Sequence, residues 1–406
     1  MNLAKAAGNK PMRVTKKPRI ALVWTQFAVH HVDRCSAVAR RLKDRAEVLA
    51  VEIASTSREY AAFAPSGAVA GVTKVTLFPG KSFDEVPRWR RFLALFPQLI
   101  RCQMICFGVP YSQLEVLLLA WLLRLFGKKV VLLFDSKFDD RPRSAGFEFC
   151  KQLGLSCFDA ALFASLRTRD YLQFLGFNRR PLLPGCDGID LARLRADAAQ
   201  SPKPPPAFAD RNFVFVGRFI PEKNLRQLVA AYARYAESDP PGVRRLVLVG
   251  SGPLEEELRH QVAGLGLQDK IVFAGFLEGI DLAGLLATAL GLILVSNSET
   301  WGLVVNEAAA LGAPVIVSEA PGSRDALVRN LVSGFIVESG SVEGLATAMK
   351  KLESSPAAWQ AMSDAIRARA WLGDASCFAD SLEVLVDPDA KAAKQRVDAY
   401  LAACRS

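Results

Sequence analysis

The chain has 406 residues, more than one hydrophobic core usually supports, so we expect two domains. Hydrophobic residues make up 51% of it, but no run reaches the ~18 apolar residues of a membrane span. The net charge of +10 is spread along the chain, without a known nucleic-acid-binding motif. Together these features argue against a membrane-spanning protein and against nucleic acid as a partner.

Cysteine usage and the start of the chain bear on its location. The eight cysteines are scattered, and no pair has the spacing of a zinc ribbon. We therefore expect free thiols and no bound metal. The first twenty residues are basic and polar, without the apolar run of a secretory signal. These patterns predict a cytoplasmic protein.

The first half alternates buried strands with helices. The helices are predicted at 31–45 and 112–126 and, further on, at 166–175. The strands are predicted at 19–24, 48–53, 74–78, 104–108, 129–134 and 158–165. Such alternation is typical of a doubly wound parallel sheet with helices on both faces.

The connection after the first strand reads TQFAVHH. His30 and His31 lie on the predicted lip of the sheet, with Arg34 nearby, and an imidazole there could bind phosphate or acceptor oxygens. It could equally cap the following helix or face solvent. Both readings stay open at this point.

A basic and aromatic segment occupies residues 87–101. Four arginines, Arg88, Arg90, Arg91 and Arg101, alternate there with Trp89, Phe92 and Phe96. As a helix it would show a basic edge beside an aromatic face, which suits the surface of an anionic membrane. A core helix with a solvated basic rim fits the same residues.

The strand at 129–134 runs directly into DSKFDDRPR. Ligands of doubly wound sheets gather at the carboxyl ends of strands, so Asp135 and Asp139 are predicted as catalytic carboxylates on the acceptor side. The beginning of a helix would also attract aspartates.

Proline marks the middle of the chain. The cluster SPKPPPAF at 201–208 cannot enter a helix or sheet interior, and it predicts a linker at 196–211. We divide the chain into a first domain at 1–195, a second at 212–372, and an alanine-rich helical tail at 373–406.

The second half restarts with a strand at 212–217, followed by GRFIPEKN and a helix predicted to begin near Pro221. Arg218 and Lys223 fall beside the free amides of that helix start. Cations are disfavoured there by the helix dipole unless an anion joins them. Arg218 and Lys223 therefore either form an anion-binding site or are two surface cations.

Residues 292–318 read LILVSNSETWGLVVNEAAALGAPVIVS. Two buried strands flank a short helix predicted to start near Gly302 and to stop at Gly312. The backbone amides of Leu303 and Val304 would then favour an anion. Glu299 and Glu307 stand beside them and can accept bonds from hydroxyls. An anion site flanked by such carboxylates indicates a phosphorylated sugar or a nucleoside diphosphate sugar. The same residues are also compatible with two glutamates that are simply exposed to solvent.

This segment resembles the donor site of glycosyltransferase family 4, retaining enzymes with the GT-B fold of two facing Rossmann-like domains. Glu299 and Glu307 match the family's pair of glutamates eight positions apart, with Trp301 where many members have Phe. Arg218 and Lys223 match its diphosphate-binding pair. The TQFAVHH loop departs from the glycine-rich loop that many members have.

The resemblance implies roles for these positions. Glu299 would bind sugar hydroxyls and act in catalysis, Glu307 would bind the ribose, and Gly302, Leu303 and Val304 would hold the diphosphate. The base would lie near Gly275, Phe276 and Leu277. The tail would cross back to the first domain. The scheme uses the nucleoside diphosphate sugar as co-substrate, with no other cofactor and no metal.

The sequence therefore predicts a retaining hexosyltransferase, active on a glycan or lipid-linked acceptor in polysaccharide biosynthesis, with peripheral membrane contact through 87–101. A catalytically silent GT-B protein is the main alternative, supported by the TQFAVHH loop. A nucleotide-sugar epimerase or a phosphorylase is another. A dinucleotide dehydrogenase is disfavoured because neither first strand is followed by GxGxxG.

Overall fold

The computed structural model describes residues 17–58, 67–202, 206–237 and 242–405. It contains two parallel sheets, of seven and six strands. This confirms the predicted fold class of two doubly wound domains facing across a cleft. The predicted linker lies outside the described residues at 203–205, as do positions 1–16 of the basic start.

The first sheet has the strand order β3-β2-β1-β4-β5-β6-β7. Its helices are α1 (Val29–Leu42), α2 (Arg88–Leu99), α3 (Leu114–Leu125), α4 (Ala145–Leu155) and α5 (Leu166–Leu172). Its strands are β1 (Arg19–Trp24), β2 (Glu47–Thr56), β3 (Thr73–Ser82), β4 (Met104–Phe107), β5 (Lys129–Phe134), β6 (Ala160–Phe163) and β7 (Leu182–Leu183). The helix α6 (Leu191–Gln200) follows.

The second sheet has the order β10-β9-β8-β11-β12-β13. Its strands are β8 (Phe213–Val216), β9 (Leu246–Val249), β10 (Ile271–Gly275), β11 (Gly291–Leu294), β12 (Val315–Ser318) and β13 (Gly334–Val337). The helices are α7 (Leu225–Glu237), α8 (Glu255–Gly264), α9 (Gly279–Ala287), α10 (Val304–Leu311), α11 (Ser323–Leu327), α12 (Val342–Glu353), α13 (Pro356–Arg369), α14 (Ala375–Val386) and α15 (Lys391–Arg405).

Burial explains why strands could be recognised from the sequence. The strands β4, β6, β11 and β12 are buried along their whole length, as expected for parallel strands covered on both faces. The two faces of the first sheet belong to different clusters. The helices α2 and α3 pack on one face, whereas α1 packs on the other.

Two helix starts differ from the prediction. Residues Pro221–Lys223 form only a 3-10 turn, because Asn224 takes a left-handed conformation with φ of 59° and interrupts the helix before α7. Gly302 has φ of 89°, also left-handed, so α10 begins at Val304 rather than at Gly302.

The chain crosses twice between the two halves. The helix α6 packs against α9 and α10 of the second half, so the predicted boundary at residue 195 falls inside a helix. The helix α14 packs against α1 of the first half. Ile189 and Asp374 pair where the crossings meet. The buried Asn306 amide donates to Asp187 O (2.9 Å) and Gly373 O (3.0 Å), and so joins both crossings to α10.

Candidate active site between the two sheets

A cleft of about 1270 Å³ lies where the carboxyl ends of both sheets face each other. In each sheet the strand order reverses at this point, between β1 and β4 and between β8 and β11. Parallel sheets bind their ligands at such positions because the loops on either side diverge there. The first half contributes the loops after β1, β4 and β5, and the second half those after β8, β9, β10 and β11.

The loop before α10 depends on a glycine. A Cβ on Gly302 would stand 2.8 Å from Leu294 Cδ2, and its φ of 89° is rarely adopted by other residues. Leu303 and Val304, which follow this turn, both line the cleft. Among the described residues, no carbonyl accepts a hydrogen bond from either amide. The predicted anion position at this helix start is therefore geometrically available.

Lys223 and Glu299, predicted as separate ligand contacts, are joined to each other. The Lys223 ammonium donates to Glu299 Oε2, which also accepts from Ser296 Oγ at 3.2 Å. Both side chains are largely shielded from solvent. The sequence spacing could not show this pair, because the two residues come from loops after different strands.

Arg218 is the more available cation. Its side chain is exposed on the cleft wall, and it forms no ion pair with another described residue. It lies on the loop after β8, next to the loop that carries Lys223. An anion at the α10 start would therefore meet one unpaired cation and one shared with Glu299.

Glu307 lies on α10 at the cleft. Burial raises the pKa of Glu307 to about 7, and Asp33 adds to the rise while Arg193 opposes it. The carboxyl group is therefore divided between its neutral and charged forms near neutral pH. A hydroxyl ligand can be met by either form, as acceptor or as donor.

Part of the segment predicted to contact the nucleotide base lies at the cleft. Phe276 and Leu277 line it, and Phe276 is exposed over 44% of its surface. Gly275 has φ of 71°, and its carbonyl accepts from Gly250 N at 2.7 Å. Gly275 therefore shapes the loop rather than lining the wall.

The two histidines have different environments. His31 is buried, and its Nδ1 accepts a hydrogen bond from Ala28 N at 3.0 Å. Of the alternatives considered for this histidine, this contact corresponds to capping of α1. Burial also lowers the pKa of His31, which keeps the ring neutral. His30 is half-buried, and burial lowers its pKa too. Both histidines line the cleft.

The two aspartates after β5 are separated. Asp135 lines the cleft, and burial raises its pKa against a hydrogen bond from the Thr300 side chain. Asp139 does not line the cleft. Its carboxylate is half-exposed and accepts from Arg167 Nη1 at 2.6 Å, so its predicted catalytic placement is not supported. A 3-10 turn at Phe138–Asp140 carries it away from the strand end.

Three charged residues of the cleft, Asp33, Asp187 and Arg193, were not selected from the sequence, and Arg34 was only placed near the histidines at the lip of the sheet. Arg34 donates to Asp187 Oδ1 at 2.9 Å, and Arg193 binds Asp33 through two hydrogen bonds of 3.0 and 2.9 Å. Burial raises the pKa of Asp187 to about 6, although Arg34 opposes this. The local signals were polar residues at the start of a predicted helix, in HHVDR, and in the segment CDGID. Nothing local distinguished Arg193.

Two cationic side chains of the first half form hydrogen bonds with residues of the second half. Lys137 is almost fully buried; it pairs with Asp140 and donates to Glu299 O at 2.6 Å. Arg167 binds Asp325 and donates to Glu319 O (3.1 Å) and Pro321 O (2.8 Å). These contacts hold the donor loop and the loop after β12 against the first half.

Solved structures with this architecture decide the fold class. Sucrose-phosphate synthase from Thermosynechococcus elongatus superimposes with a TM-score of 0.66 and 21% identity, covering 91% of this chain and 98% of that chain. HepE of Anabaena in complex with UDP superimposes with a TM-score of 0.68 and 17% identity, covering 91% and 100%. The chain has the GT-B fold. Identities this low establish the fold alone.

A known protein family matches part of this chain. The family described as glycosyl transferases group 1 matches residues 199–369, which hold the second sheet. Glycogen synthase of Mycobacterium tuberculosis is 33% identical over 183 residues, or 45% of this chain and 42% of that protein. D-inositol 3-phosphate glycosyltransferase of Streptomyces griseus is 33% identical over 178 residues, or 41% and 38%. The chain thus spans less than half the length of these relatives.

Across the described ranges, no helix combines the length and apolarity needed to cross a bilayer. Within the same ranges, no three His, Cys, Asp or Glu side chains are grouped so that they could hold a metal ion.

Proposed function

We propose that this GT-B protein is a glycosyltransferase that moves a sugar from a nucleoside diphosphate sugar to a glycan or lipid-linked acceptor. The observation that carries the proposal is the meeting of Arg218, the Lys223–Glu299 pair and the α10 amides at one edge of the second sheet. This edge faces the polar loops of the first sheet. Support comes from the group 1 family match over 199–369 and from the UDP bound to HepE of similar fold.

The second half would bind the donor. The diphosphate would take the amides of Leu303 and Val304 together with Arg218 and Lys223, whose charge offsets its own in a narrow cleft. Glu299, displaced from part of its contact with Lys223, would accept bonds from the sugar hydroxyls. Glu307 would bind the ribose, and the base would rest near Phe276 and Leu277 in the loop that starts at Gly275.

Transfer would follow the retaining course of family 4. The bond from the anomeric carbon to the diphosphate oxygen breaks, leaving positive charge on the sugar ring. An acceptor hydroxyl attacks from the same face, and its proton passes to the leaving phosphate oxygen. Arg218, Lys223 and the α10 amides stabilise the negative charge that develops on that phosphate.

The first half would supply the acceptor side. Asp135 and His30 line the cleft wall opposite the donor loop, and Thr300 connects Asp135 to that loop. Asp135 would orient the attacking hydroxyl. We place the reaction in the cytoplasm, in polysaccharide or glycolipid biosynthesis, with membrane contact near 87–101, where Arg88, Trp89 and Arg90 are exposed. Arg91 takes no part in that contact, because it is buried against Glu115.

A catalytically silent protein of this fold remains the competing function, and the specific observation in its favour is the loop after β1. His31 is committed to capping α1, and Arg34 to Asp187, where many family members bring a glycine-rich loop to the phosphates. Hydrolysis of the donor or transfer by the purified protein would eliminate it. Interconversion of donor sugars without an acceptor would instead indicate an epimerase.

The donor site is tested by Lys223→Ala and Glu307→Ala. A panel of UDP-, GDP- and ADP-sugars is first screened by thermal shift, because ligands raise the stability of the state that binds them. With the donor so found, we expect each variant to lose transfer by a factor of about 100 or more. Lys350→Ala and Glu343→Ala, both exposed and far along the chain, serve as controls. Wild-type turnover in either site variant would overturn the donor assignment.

A further inference from the structure

One face of α3 is apolar and open to solvent. Leu114, Leu118, Trp121 and Leu125 are exposed over 55%, 53%, 43% and 80% of their surfaces. Their spacing of four, three and four residues puts them on a single stripe of the helix. The opposite stripe, which includes Leu119 and Leu123, is fully buried in the core. The helix is therefore apolar on two sides, and only one of them has a partner within the described chain.

The helices on either side of α3 also expose large apolar side chains. On one side α2 packs against α3, with the rings of Phe96 and Phe126 6.2 Å apart, and it exposes Trp89 and Leu93 over 65% and 61%. On the other side lies α4, whose Gly154 is in near contact with Leu117 of α3. It exposes Phe147, Phe149 and Leu153 over 56%, 67% and 63%. Isolated exposed leucines are ordinary, but nine large apolar side chains on three adjacent helices mark a binding surface.

The charges on these helices are unequal in sign. Arg88, Arg90 and Arg124 are exposed. Arg124 pairs with Asp159 at 3.2 Å and Arg88 lies 3.9 Å from Glu115, whereas Arg90 forms no ion pair with another described residue. The two carboxylates, Glu115 and Glu148, are buried in ion pairs with Arg91 and Arg143. The apolar face thus has a basic rim with no exposed carboxylate on its own helices, a combination that matches an anionic lipid surface. A two-fold contact with a second copy would instead set this rim against itself.

The surface continues into the cleft. Tyr111 and Ser112 line the cleft, and the stripe begins two residues later at Leu114. Phe147 belongs to both, since it lines the cleft and is exposed beside Phe149. A molecule with an apolar tail could therefore keep the tail at this surface while its polar head reaches Asp135.

The geometry points to a lipid-docking surface formed by α3 with α2 and α4, which rests on the interface of an anionic bilayer. Resting on the proposed function, the acceptor is then an amphiphile: a hydroxyl-bearing head group on a lipid tail, presented to the cleft past Tyr111 and Phe147. The docking surface is thereby centred on α3, not on residues 87–101 alone.

The test uses the full chain and vesicles of phosphatidylcholine with 30% phosphatidylglycerol, against vesicles of phosphatidylcholine only. Wild type is expected to sediment with the anionic vesicles. Leu118→Gln with Trp121→Gln should lower the partition coefficient about tenfold or more, because both apolar side chains leave the acyl region. Arg88→Gln with Arg90→Gln should lower it roughly fivefold per arginine, and only on anionic vesicles.

Matched controls remove the same kinds of side chain elsewhere. Leu265→Gln with Val332→Gln removes two exposed apolar residues of the second half, and Lys350→Gln with Lys351→Gln removes two exposed charges. Both controls should bind vesicles as wild type does. Circular dichroism and thermal melting check that each variant is folded.

Three results would overturn the surface: no sedimentation of wild type, equal binding of the α3 variant, or a wild-type dimer that the α3 variant converts to monomer. Donor binding, measured by thermal shift without vesicles, tests the proposed function independently of the lipid-docking surface. A protein that binds vesicles but neither binds nor hydrolyses any donor keeps the surface and loses the function. A protein that transfers sugar to a soluble acceptor as well as to a lipid-tailed analogue loses the amphiphilic acceptor.

Discussion

The carboxyl groups of the cleft differ in how strongly burial favours their neutral form. Glu307, Asp187 and Asp135 all have raised pKa values, and for each the first cause is loss of hydration. The Glu299 carboxylate forms an ion pair with the Lys223 ammonium. A buried carboxyl with a raised pKa can donate a hydrogen bond when protonated, and a carboxylate can accept one, so such a group of acids suits a ligand rich in hydroxyls.

The raised pKa of Glu307 predicts a pH-dependent stability. Its ordinary value is 4.5 and its folded value about 7, so between these the folded state holds more protons than the unfolded one. Stability contributed at this site is therefore lost as the pH rises from about 4.5 to 7. We expect Glu307→Gln to gain about 1–2 kcal/mol relative to wild type between pH 5 and pH 8 in urea unfolding. The conservative Glu343→Gln change, at an exposed site, should show no such difference, and parallel pH curves for wild type and Glu307→Gln would contradict the assignment.

At the scale of elements, the donor loop and α10 work as one unit. The strand β11 ends in a buried run, the left-handed Gly302 turns the chain, and α10 then presents its first amides to the cleft. Asn306 on the same helix holds both crossings of the chain, and Trp301 Nε1 donates to Asn306 Oδ1 at 2.9 Å. The position of the anion site is thus connected to the junction between the halves.

Gly302→Ala should disturb this unit. The new Cβ would meet Leu294 Cδ2 and would force an L-residue into the left-handed region, for a cost of about 1–3 kcal/mol in urea unfolding. Affinity for UDP, measured by calorimetry, should fall with it, because the Leu303 and Val304 amides reorient. Gly340→Ala is the control, since its added Cβ meets nothing within 4 Å and its φ is not positive. Equal stability of the two variants would show that the turn is not under this constraint.

At the scale of the whole molecule, the two halves are held together beside the cleft by cations from the first. Arg167 binds Asp325 and carbonyl oxygens of the loop after β12, and Lys137 binds the donor loop at Glu299 O. A planar guanidinium can bind several acceptors at once, so Arg167 suits this position better than a lysine would. The arrangement favours the closed form, in which acceptor and donor sides meet.

Arg167→Met should loosen that closure. We expect transfer to fall about tenfold while UDP affinity stays within twofold, since the donor would sit on the second half alone. The radius of gyration from small-angle scattering should rise. Arg169→Met is the matched control, because Arg169 lies on the same helix and pairs only with the adjacent Asp170 among the described residues. A loss of UDP affinity equal to the loss of transfer would contradict a role in closure.

Much of the architecture followed from the sequence, because its causes are local. Continuous apolar runs predicted the buried strands, their alternation with helices predicted two doubly wound sheets, and polarity after strand ends pointed to Asp135, Arg218 and Glu299. Backbone preferences were less decisive, as the helix starts at Pro221 and Gly302 show. There a single left-handed residue, not the wider pattern, decided where the helix began.

What the sequence by itself determined was where the edges of the two sheets lie and some of the residues that line them, among them Asp135, Arg218 and Glu299. Only the tertiary structure decided their partners: that Lys223 pairs with Glu299, that Asp139 turns away to Arg167, that Arg34 and Asp187 meet, and that α3 keeps an apolar side uncovered. Each of these depends on how elements far apart in the chain are oriented to one another. Hydrophobic periodicity specifies that a face is buried, but not against what, so such contacts cannot be read from spacing.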